Sequence, residues 1–114
     1  MNRVVYLACP YTGDKAEIER RMEKFCRMIA KLQKLGTFVV SPLFMHYVLP
    51  YDPSLGKDWQ FWKSYSRELL SRCDELHILC LDGWEDSEGI RGEIEIAREF
   101  GKPIEKIPAT YADP

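Results

Sequence analysis

A glutamate lies one helical turn after a polar segment that opens the last predicted helix. Ser87, Glu88 and Gly89 form the start of that helix, and Glu93 follows them. The first backbone N–H groups of a helix have no partner inside it, so they favour an anion, and Gly89 lets a ligand approach the backbone. A carboxylate below this point can attack the anomeric carbon of a bound sugar and form a covalent glycosyl ester. The alternative is that Glu93 is a solvated glutamate on a charged helix.

A second candidate segment leaves the first predicted strand. Tyr6 lies in that strand and can hold or tune a neighbouring carboxylate, unless it is simply part of the core. In an open α/β sheet, ligands bind just beyond the carboxyl ends of the strands, so two loops at this edge contain the candidate binding residues. These are Cys9, Pro10, Tyr11, Thr12 and Gly13 in the first loop and Asp82, Trp84, Ser87 and Gly89 in the second.

Two aromatic residues and two histidines have open alternatives. Tyr11 and Trp84 flank the expected cleft, where they either stack on a base or only pack within their loops. His46 is a proton donor to a leaving base or a surface histidine, and His77 is expected to be a satisfied core residue. The four cysteines form no CxxC pair and show no ligand spacing with the histidines. We therefore predict no metal site and expect buried free thiols.

Strands and helices alternate along the chain, which would bring the two loops to one edge of a sheet. Nearly continuous apolar runs are typical of strands covered on both faces, and the intervening segments repeat apolar residues at helical spacing. This alternation predicts a mostly parallel sheet with helices on both faces, and Asp14 and Asp58 are expected to cap helices. Residues 43–57 are expected to be irregular and the last seven residues to be a loose tail. We predict strands at 4–9, 38–40, 75–81 and 103–107, and helices at 15–35, 58–73 and 87–101.

Composition limits the classes of function. The chain has 114 residues, 46% of them apolar and 30% charged, which fits one globular domain over 1–114. A net charge of −2 argues against a protein that grips a nucleic-acid polymer, because phosphate neutralisation needs a surplus of Lys and Arg. No apolar run approaches the roughly 20 residues of a membrane span, and the short apolar start fits a strand better than a signal peptide. We therefore expect a cytoplasmic protein with no membrane partner.

The two loop segments carry a resemblance to a known group of proteins. Residues 6–13 have the sequence YLACPYTG and residues 81–93 the sequence LDGWEDSEGIRGE, followed by Ala97 and by GKP at 101–103. Together these segments resemble the nucleoside 2-deoxyribosyltransferase-like superfamily, which includes the deoxynucleoside monophosphate N-glycosidases. The resemblance implies a three-layer α/β domain, flavodoxin-like or Rossmann-like, with a mostly parallel sheet of four or five strands.

The resemblance also implies roles for single residues. Glu93 falls at the position of the glutamate nucleophile and Tyr6 at that of the tyrosine that orients it. The turn at 9–13 falls on the loop that frames the sugar and base, and Ser87 and Gly89 fall on residues that bind the 5′ end. No metal or organic cofactor is implied. Members of the superfamily are usually homodimers or larger, with a neighbouring subunit helping to close the pocket.

The chain departs from the superfamily's pattern at two places. Gly is common at the position of Cys9, where the larger side chain narrows the floor of the pocket. Transferases carry an acidic residue on the helix before the third strand, and here Arg67 and Glu68 lie near that position. The acceptor (water or a second base) and the 5′ group (hydroxyl or phosphate) therefore stay open, with Arg67 a candidate to bind a phosphate.

The sequence leads to one main hypothesis and two alternatives. We predict cleavage or exchange of the N-glycosidic bond of a deoxynucleoside or its 5′-monophosphate, through Glu93 and a glycosyl-enzyme intermediate. The first alternative is a non-catalytic nucleotide-binding protein that senses or sequesters its ligand. The second is a structural subunit with a vestigial pocket. The spacing of the candidate residues favours the first two hypotheses but does not separate them, because a fold and a pocket do not establish turnover.

Overall fold

The strands and helices that the sequence predicts are all present. The computed structural model describes residues 3–114. Its strands are β1 (Val4–Ala8), β2 (Phe38–Val40), β3 (Glu75–Cys80) and β4 (Ile104–Pro108), and its α-helices are α1 (Lys15–Lys34), α2 (Trp59–Ser71) and α3 (Glu88–Glu99). Short 3₁₀ helices lie at Pro42–Tyr47, Leu49–Tyr51, Trp84–Asp86 and Ala109–Ala112. The ends of the predicted elements shift by one or two residues, because helix and strand ends are set by local capping that apolar spacing does not encode.

Side-chain caps explain where the helices begin. The Asp14 carboxylate accepts a hydrogen bond from the Glu17 N–H at 2.9 Å, and the Glu17 side chain accepts one from the Asp14 N–H at 3.4 Å. This capping box satisfies two backbone donors at the start of α1. Asp58 and Ser87 accept backbone N–H groups in the first turns of α2 and α3. The predicted caps at Asp14 and Asp58 are therefore confirmed.

The sheet is parallel throughout and has the order β2-β1-β3-β4. This order is that of a flavodoxin-like sheet, 2-1-3-4-5, with one strand fewer. The chain changes direction across the sheet between β1 and β3. Because parallel crossovers are right-handed, the connections on the two sides of that point cover opposite faces of the sheet. The prediction of a three-layer α/β domain with a parallel sheet is confirmed, and the sheet formed by the described residues has four strands.

The two faces of β1 belong to different layers of the core. Leu7 and Cys9 pack with the buried face of α1, whereas Tyr6 and Ala8 pack with residues of α2 and α3. Successive side chains of a strand point to opposite faces, so a strand between two helical layers is apolar throughout. This is why the continuous apolar run at the start of the chain predicted a covered strand correctly.

The prediction of a loose carboxyl-terminal tail is wrong. Ala109–Ala112 forms a 3₁₀ helix that packs beside α1, and Ala112 is fully buried. The ammonium group of Lys31 donates hydrogen bonds to the carbonyl oxygens of Tyr111, at 2.5 Å, and Asp113, at 2.9 Å. These long-range contacts satisfy backbone groups that would otherwise favour a mobile end.

Two further expectations need correction. Residues 43–57 are not irregular throughout, because Pro42–Tyr47 and Leu49–Tyr51 are short 3₁₀ helices. The expectation of buried thiols holds for Cys9 and Cys73 but fails for Cys26, which is exposed on α1. Among the helices of residues 3–114, none combines the length and the apolar character needed to cross a membrane.

Candidate functional site

Glu93 is buried between α3 and the sheet, against Tyr6 of β1. Glu93 is 7% exposed and Tyr6 is 0% exposed. The Tyr6 hydroxyl donates a hydrogen bond to Oε2 of Glu93. Helical spacing explains this orientation, because Glu93 shares a face of α3 with the buried residues Ile90 and Ala97. The chain thus brings the glutamate of the last helix and the tyrosine of the first strand into contact.

Burial gives this pair unusual proton affinities. Desolvation raises the pKa of Glu93 from 4.5 to about 7, and the hydrogen bond from Tyr6 acts in the opposite direction. Burial, followed by the nearby charge of Glu93, raises the pKa of Tyr6 well above its usual range. Tyr6 is therefore a neutral donor, while Glu93 exchanges its proton near neutral pH. A carboxyl group with such a pKa can act as a base, or as a nucleophile in its charged form.

A cavity of about 320 Å³ opens above Glu93. It is lined by the loops that follow β1 and β3, by the 42–49 segment and by the first half of α2. These loops lie on either side of the point where the strand order reverses, and open α/β sheets bind ligands at such switch points. The volume falls at the lower end of the range of about 300–1,000 Å³ for small-molecule sites.

The structure brings some of the candidate residues into the cavity and leaves others outside its lining. The candidate residues that line the cavity are Cys9, Tyr11, Thr12, Ser87, Gly89 and Glu93. Tyr6 lies beneath the cavity, in contact with Glu93. The candidates outside the lining are Pro10, Gly13, Asp82 and Trp84. The loop after β1 therefore contributes three of its five candidate residues to the lining, rather than the whole turn.

Two of the residues outside the lining have other roles in the fold. Trp84 packs against the core layer of α2 and α3, and the Lys106 ammonium group lies 5.2 Å from the centre of its ring. The ring is therefore directed toward β4 and is not placed to stack on a ligand in the cavity. Gly13 has φ of +148°, a conformation that side-chain-bearing residues rarely adopt, so it shapes the turn before α1.

Arg21 holds the two site loops together and was not predicted. Its guanidinium group donates hydrogen bonds to the carbonyl oxygens of Thr12, in the loop after β1, and of Asp82, in the loop after β3. The second of these bonds is 3.0 Å long. This explains the place of Asp82, which contributes a backbone oxygen rather than its side chain. An arginine on a surface helix carries no spacing signal for such long-range contacts.

His46 and Tyr11 form one wall of the cavity. The Tyr11 hydroxyl and His46 Nδ1 lie 2.5 Å apart, and the two rings pack edge to face with centroids 5.5 Å apart. The sequence left His46 as a proton donor or a surface histidine, and the ring is half-buried and faces the cavity. The pair also borders a second cavity of about 380 Å³ beyond it.

The first half of α2 supplies cavity residues that were not among the candidates from the sequence. Trp59, Trp62 and Ser66 line the cavity at helical spacing. Trp59 approaches α3 so closely that a Cβ on Gly92 would lie 2.1 Å from its ring. Apolar spacing predicts which face of α2 is buried but cannot tell a core-facing ring from a cavity-facing one. Gly92 within the last predicted helix was the available signal of a close approach.

Replacing Gly92 by alanine is expected to destabilise the domain by about 1–3 kcal/mol, because the Trp59 ring must move to admit the methyl group. Gly89→Ala is the matched control, since its Cβ would meet Trp59 at an ordinary 3.8 Å. The control should be neutral or slightly stabilising, because alanine favours a helix. Urea unfolding followed by tryptophan fluorescence measures both variants. Equal effects of the two substitutions would contradict the steric explanation.

His77 lies in a cluster on the sheet outside this cavity. Its Nε2 is 2.8 Å from a carboxylate oxygen of Glu75 and 3.3 Å from one of Glu105. Within residues 3–114, its buried Nδ1 has no hydrogen-bond partner, so the expectation of a satisfied core histidine holds for one ring nitrogen only. Metal-binding histidines usually donate their second N–H to an acceptor, and Glu75 already pairs with Arg3 at 2.6 Å. The cluster therefore lacks the surroundings of a metal site.

The fold and the site together define a three-layer α/β domain with a buried carboxylate at the switch point of its sheet. The chain belongs to the family described as Domain of unknown function (DUF1937), whose model matches residues 3–108. No curated protein matches the chain significantly. Because the family's description gives no activity, the resemblance to the nucleoside 2-deoxyribosyltransferase-like superfamily stays a prediction.

Proposed function

We propose that the domain cleaves or exchanges the N-glycosidic bond of a deoxynucleoside or its 5′-monophosphate. The observation that carries the proposal is the buried Glu93–Tyr6 pair beneath a cavity at the switch point. Burying a carboxyl group costs stability, and groups with pKa values near neutrality are concentrated at functional sites. The cytosol as the location and a homo-oligomer as the assembly belong to the same proposal, since they follow from composition and from the resemblance.

The proposed reaction has two steps. In the first, an oxygen of the Glu93 carboxylate attacks the anomeric carbon, and the C–N bond breaks, its electron pair leaving with the base. In the second, water or another base attacks the same carbon, the ester bond breaks, and Glu93 is released as a carboxylate while the attacking group loses a proton. The hydrogen bond from Tyr6 to Oε2 leaves Oε1 free to attack. Tyr6 is thus a positioning residue for Glu93.

The cavity wall offers groups that suit the base. The leaving base takes up a proton as the C–N bond breaks, and His46 is a lining group whose ring can donate one. The Tyr11 hydroxyl, 2.5 Å from Nδ1, fixes the orientation of the His46 ring. Trp59 and Trp62 also line the cavity and can contact the face of an aromatic base. They replace Trp84 in the proposed base site.

The proposal is tested by incubating the protein, without added cofactor, with the common deoxynucleosides and their 5′-monophosphates. Chromatography is expected to detect free base from at least one substrate, and transfer products if a second base is supplied. Binding without any release would favour a non-catalytic nucleotide-binding protein. Neither binding nor release across the whole panel would contradict both readings of the site.

A further inference from the structure

We infer that the cavity selects a deoxynucleoside with a free 5′-hydroxyl over its 5′-monophosphate. The inference rests on the proposed function and names the substrate class of the same site. The evidence for this preference is the distribution of charged side chains around the cavity. Among residues 3–114, Lys57 is the basic residue other than histidine in the lining, whereas Asp58, Asp86 and Glu88 are exposed lining carboxylates that form its rim, and Glu93 is a buried one. A phosphate group would enter a region dominated by like charges.

The helix starts that favour an anion are partly occupied by the protein's own groups. At the start of α2, the Asp58 carboxylate accepts the Phe61 N–H at 2.9 Å. At the start of α3, Ser87 Oγ accepts the Ile90 N–H at 3.3 Å, and Glu88 is the acidic residue of the first turn. Carboxylates in these positions complement the positive end of a helix dipole. The attraction for an external phosphate that Ser87 and Gly89 predicted in the sequence is therefore offset.

Three arginines on the surrounding elements already have partners within the protein. Arg67, a candidate for a phosphate in the sequence, forms a two-pronged pair with Glu99 at 2.6 and 2.9 Å. Arg21 donates to backbone carbonyls of the two site loops. Arg91 donates to the Glu85 carbonyl at 3.1 Å and also lies 3.7 Å from the Asp86 carboxylate, with both side chains exposed, but it does not itself line the cavity. Within residues 3–114, no arginine side chain lines the cavity, although arginine is the residue best suited to grip a phosphate.

A hydroxyl group matches this surface better for a chemical reason. Carboxylates only accept hydrogen bonds, and an ionised phosphate also offers mainly acceptors, so the two groups have no hydrogen bond to share. A 5′-hydroxyl can donate to a rim carboxylate such as Glu88 and at the same time accept from a free N–H at the start of α3. The rim carboxylates therefore stabilise an uncharged group that donates a hydrogen bond, and they repel a phosphate dianion.

Binding measured without turnover tests the inference. Calorimetric titration of the Glu93→Gln variant with each deoxynucleoside and its 5′-monophosphate compares the two classes for the same base. The variant removes one negative charge from the cavity. This change can only favour binding of the monophosphate, so it cannot by itself produce a preference for the nucleoside. We expect the nucleoside to bind at least about tenfold more tightly at low ionic strength, the scale of one like-charge contact. Added salt should reduce the ratio.

A pair of charge variants in the same background shows whether the rim causes the preference. Asp86→Asn/Glu88→Gln should lower the ratio of nucleoside to monophosphate affinity several-fold. Glu85→Gln/Glu95→Gln is the control, because it removes two exposed carboxylates that do not line the cavity. Tighter binding of monophosphates, or an unchanged ratio in the rim variant, would overturn the inference.

The outcomes separate the inference from the proposed function. Faster base release by wild-type protein from monophosphates than from nucleosides would overturn the 5′-hydroxyl inference and leave the glycosidic proposal standing. Tighter binding of nucleosides without any base release would support the inference on specificity and overturn the proposed cleavage. Binding of neither class would overturn both.

Discussion

Replacing Glu93 by glutamine is expected to reduce release of free base by at least about 1,000-fold, the scale on which enzymes lose activity without their nucleophile. Glutamine keeps the size of the side chain and an oxygen that can accept from Tyr6, so the site should keep its shape. What it loses is the negative oxygen that attacks the anomeric carbon. The substitution therefore tests the chemistry rather than the packing.

The same variant tests whether a glycosyl ester forms. Wild-type protein quenched in acid during turnover should show a mass increase equal to the deoxyribosyl group, and a peptide map should place it on the segment that contains Glu93. The Glu93→Gln protein should show no such increase. Glu95→Gln is the control, because Glu95 lies on the same helix but is exposed. Base release that survives the loss of Glu93 would remove this residue from the mechanism.

The residues alone left Glu93 open between an inward-facing and a solvated side chain, and short-range spacing explains why it faces inward. The helical repeat that turns Ile90 and Ala97 inward also turns Glu93 inward, and the Ser87 cap fixes where the helix begins. The pairing with Tyr6 follows from the parallel βαβ order, which brings the start of α3 to the end of β1. Local pattern and general topology therefore account for the centre of the site, whereas the choice of Glu93 and Tyr6 as partners also depended on the resemblance.

The walls of the site could not be predicted in the same way. Tyr11 and His46 are 35 residues apart, and their contact depends on how the 42–51 segment folds into two 3₁₀ helices. The sequence left Trp84 open between stacking on a base and packing within its loop, and the ring packs beneath Lys106 of β4, a contact that only the tertiary fold creates. Aromatic residues in loops have no periodicity, so their direction is decided by long-range packing rather than by spacing.

The carboxyl-terminal end illustrates the same limit. Its residues looked like a tail because they contain no periodic apolar pattern. The contacts that order them come from Lys31, which is 80 residues before Tyr111. A lysine in the last turn of α1 predicts a favourable interaction with that helix end, but it does not reveal which distant carbonyl groups it also binds.

The pH dependence of stability provides a test of the site that does not depend on any activity. Burial raises the pKa of Glu93 in the folded state to about 7, above its ordinary 4.5. The stability associated with its neutral form is fully present below pH 4.5 and is lost as the pH rises through 7. Integrated over this window, the loss amounts to about 3 kcal/mol. At alkaline pH the folded domain must hold an ionised carboxylate in a buried place.

Glu93→Gln removes this proton linkage, so the variant should become more stable than the wild type as the pH rises. The difference in free energy of unfolding is expected to be smallest below pH 4.5 and to increase toward about 3 kcal/mol by pH 8. Urea unfolding at a series of pH values measures it, and subtracting the two profiles cancels the contributions of the titratable groups that both proteins share. The control is Glu95→Gln, because Glu95 is exposed, and it should show a difference that does not change with pH.

A flat profile for Glu93→Gln would mean that this carboxyl group is solvated, and a solvated Glu93 has no place at the floor of a catalytic cavity. The gain in stability on losing the carboxylate, together with the loss of base release, would identify Glu93 as a residue kept for function at a cost in folding.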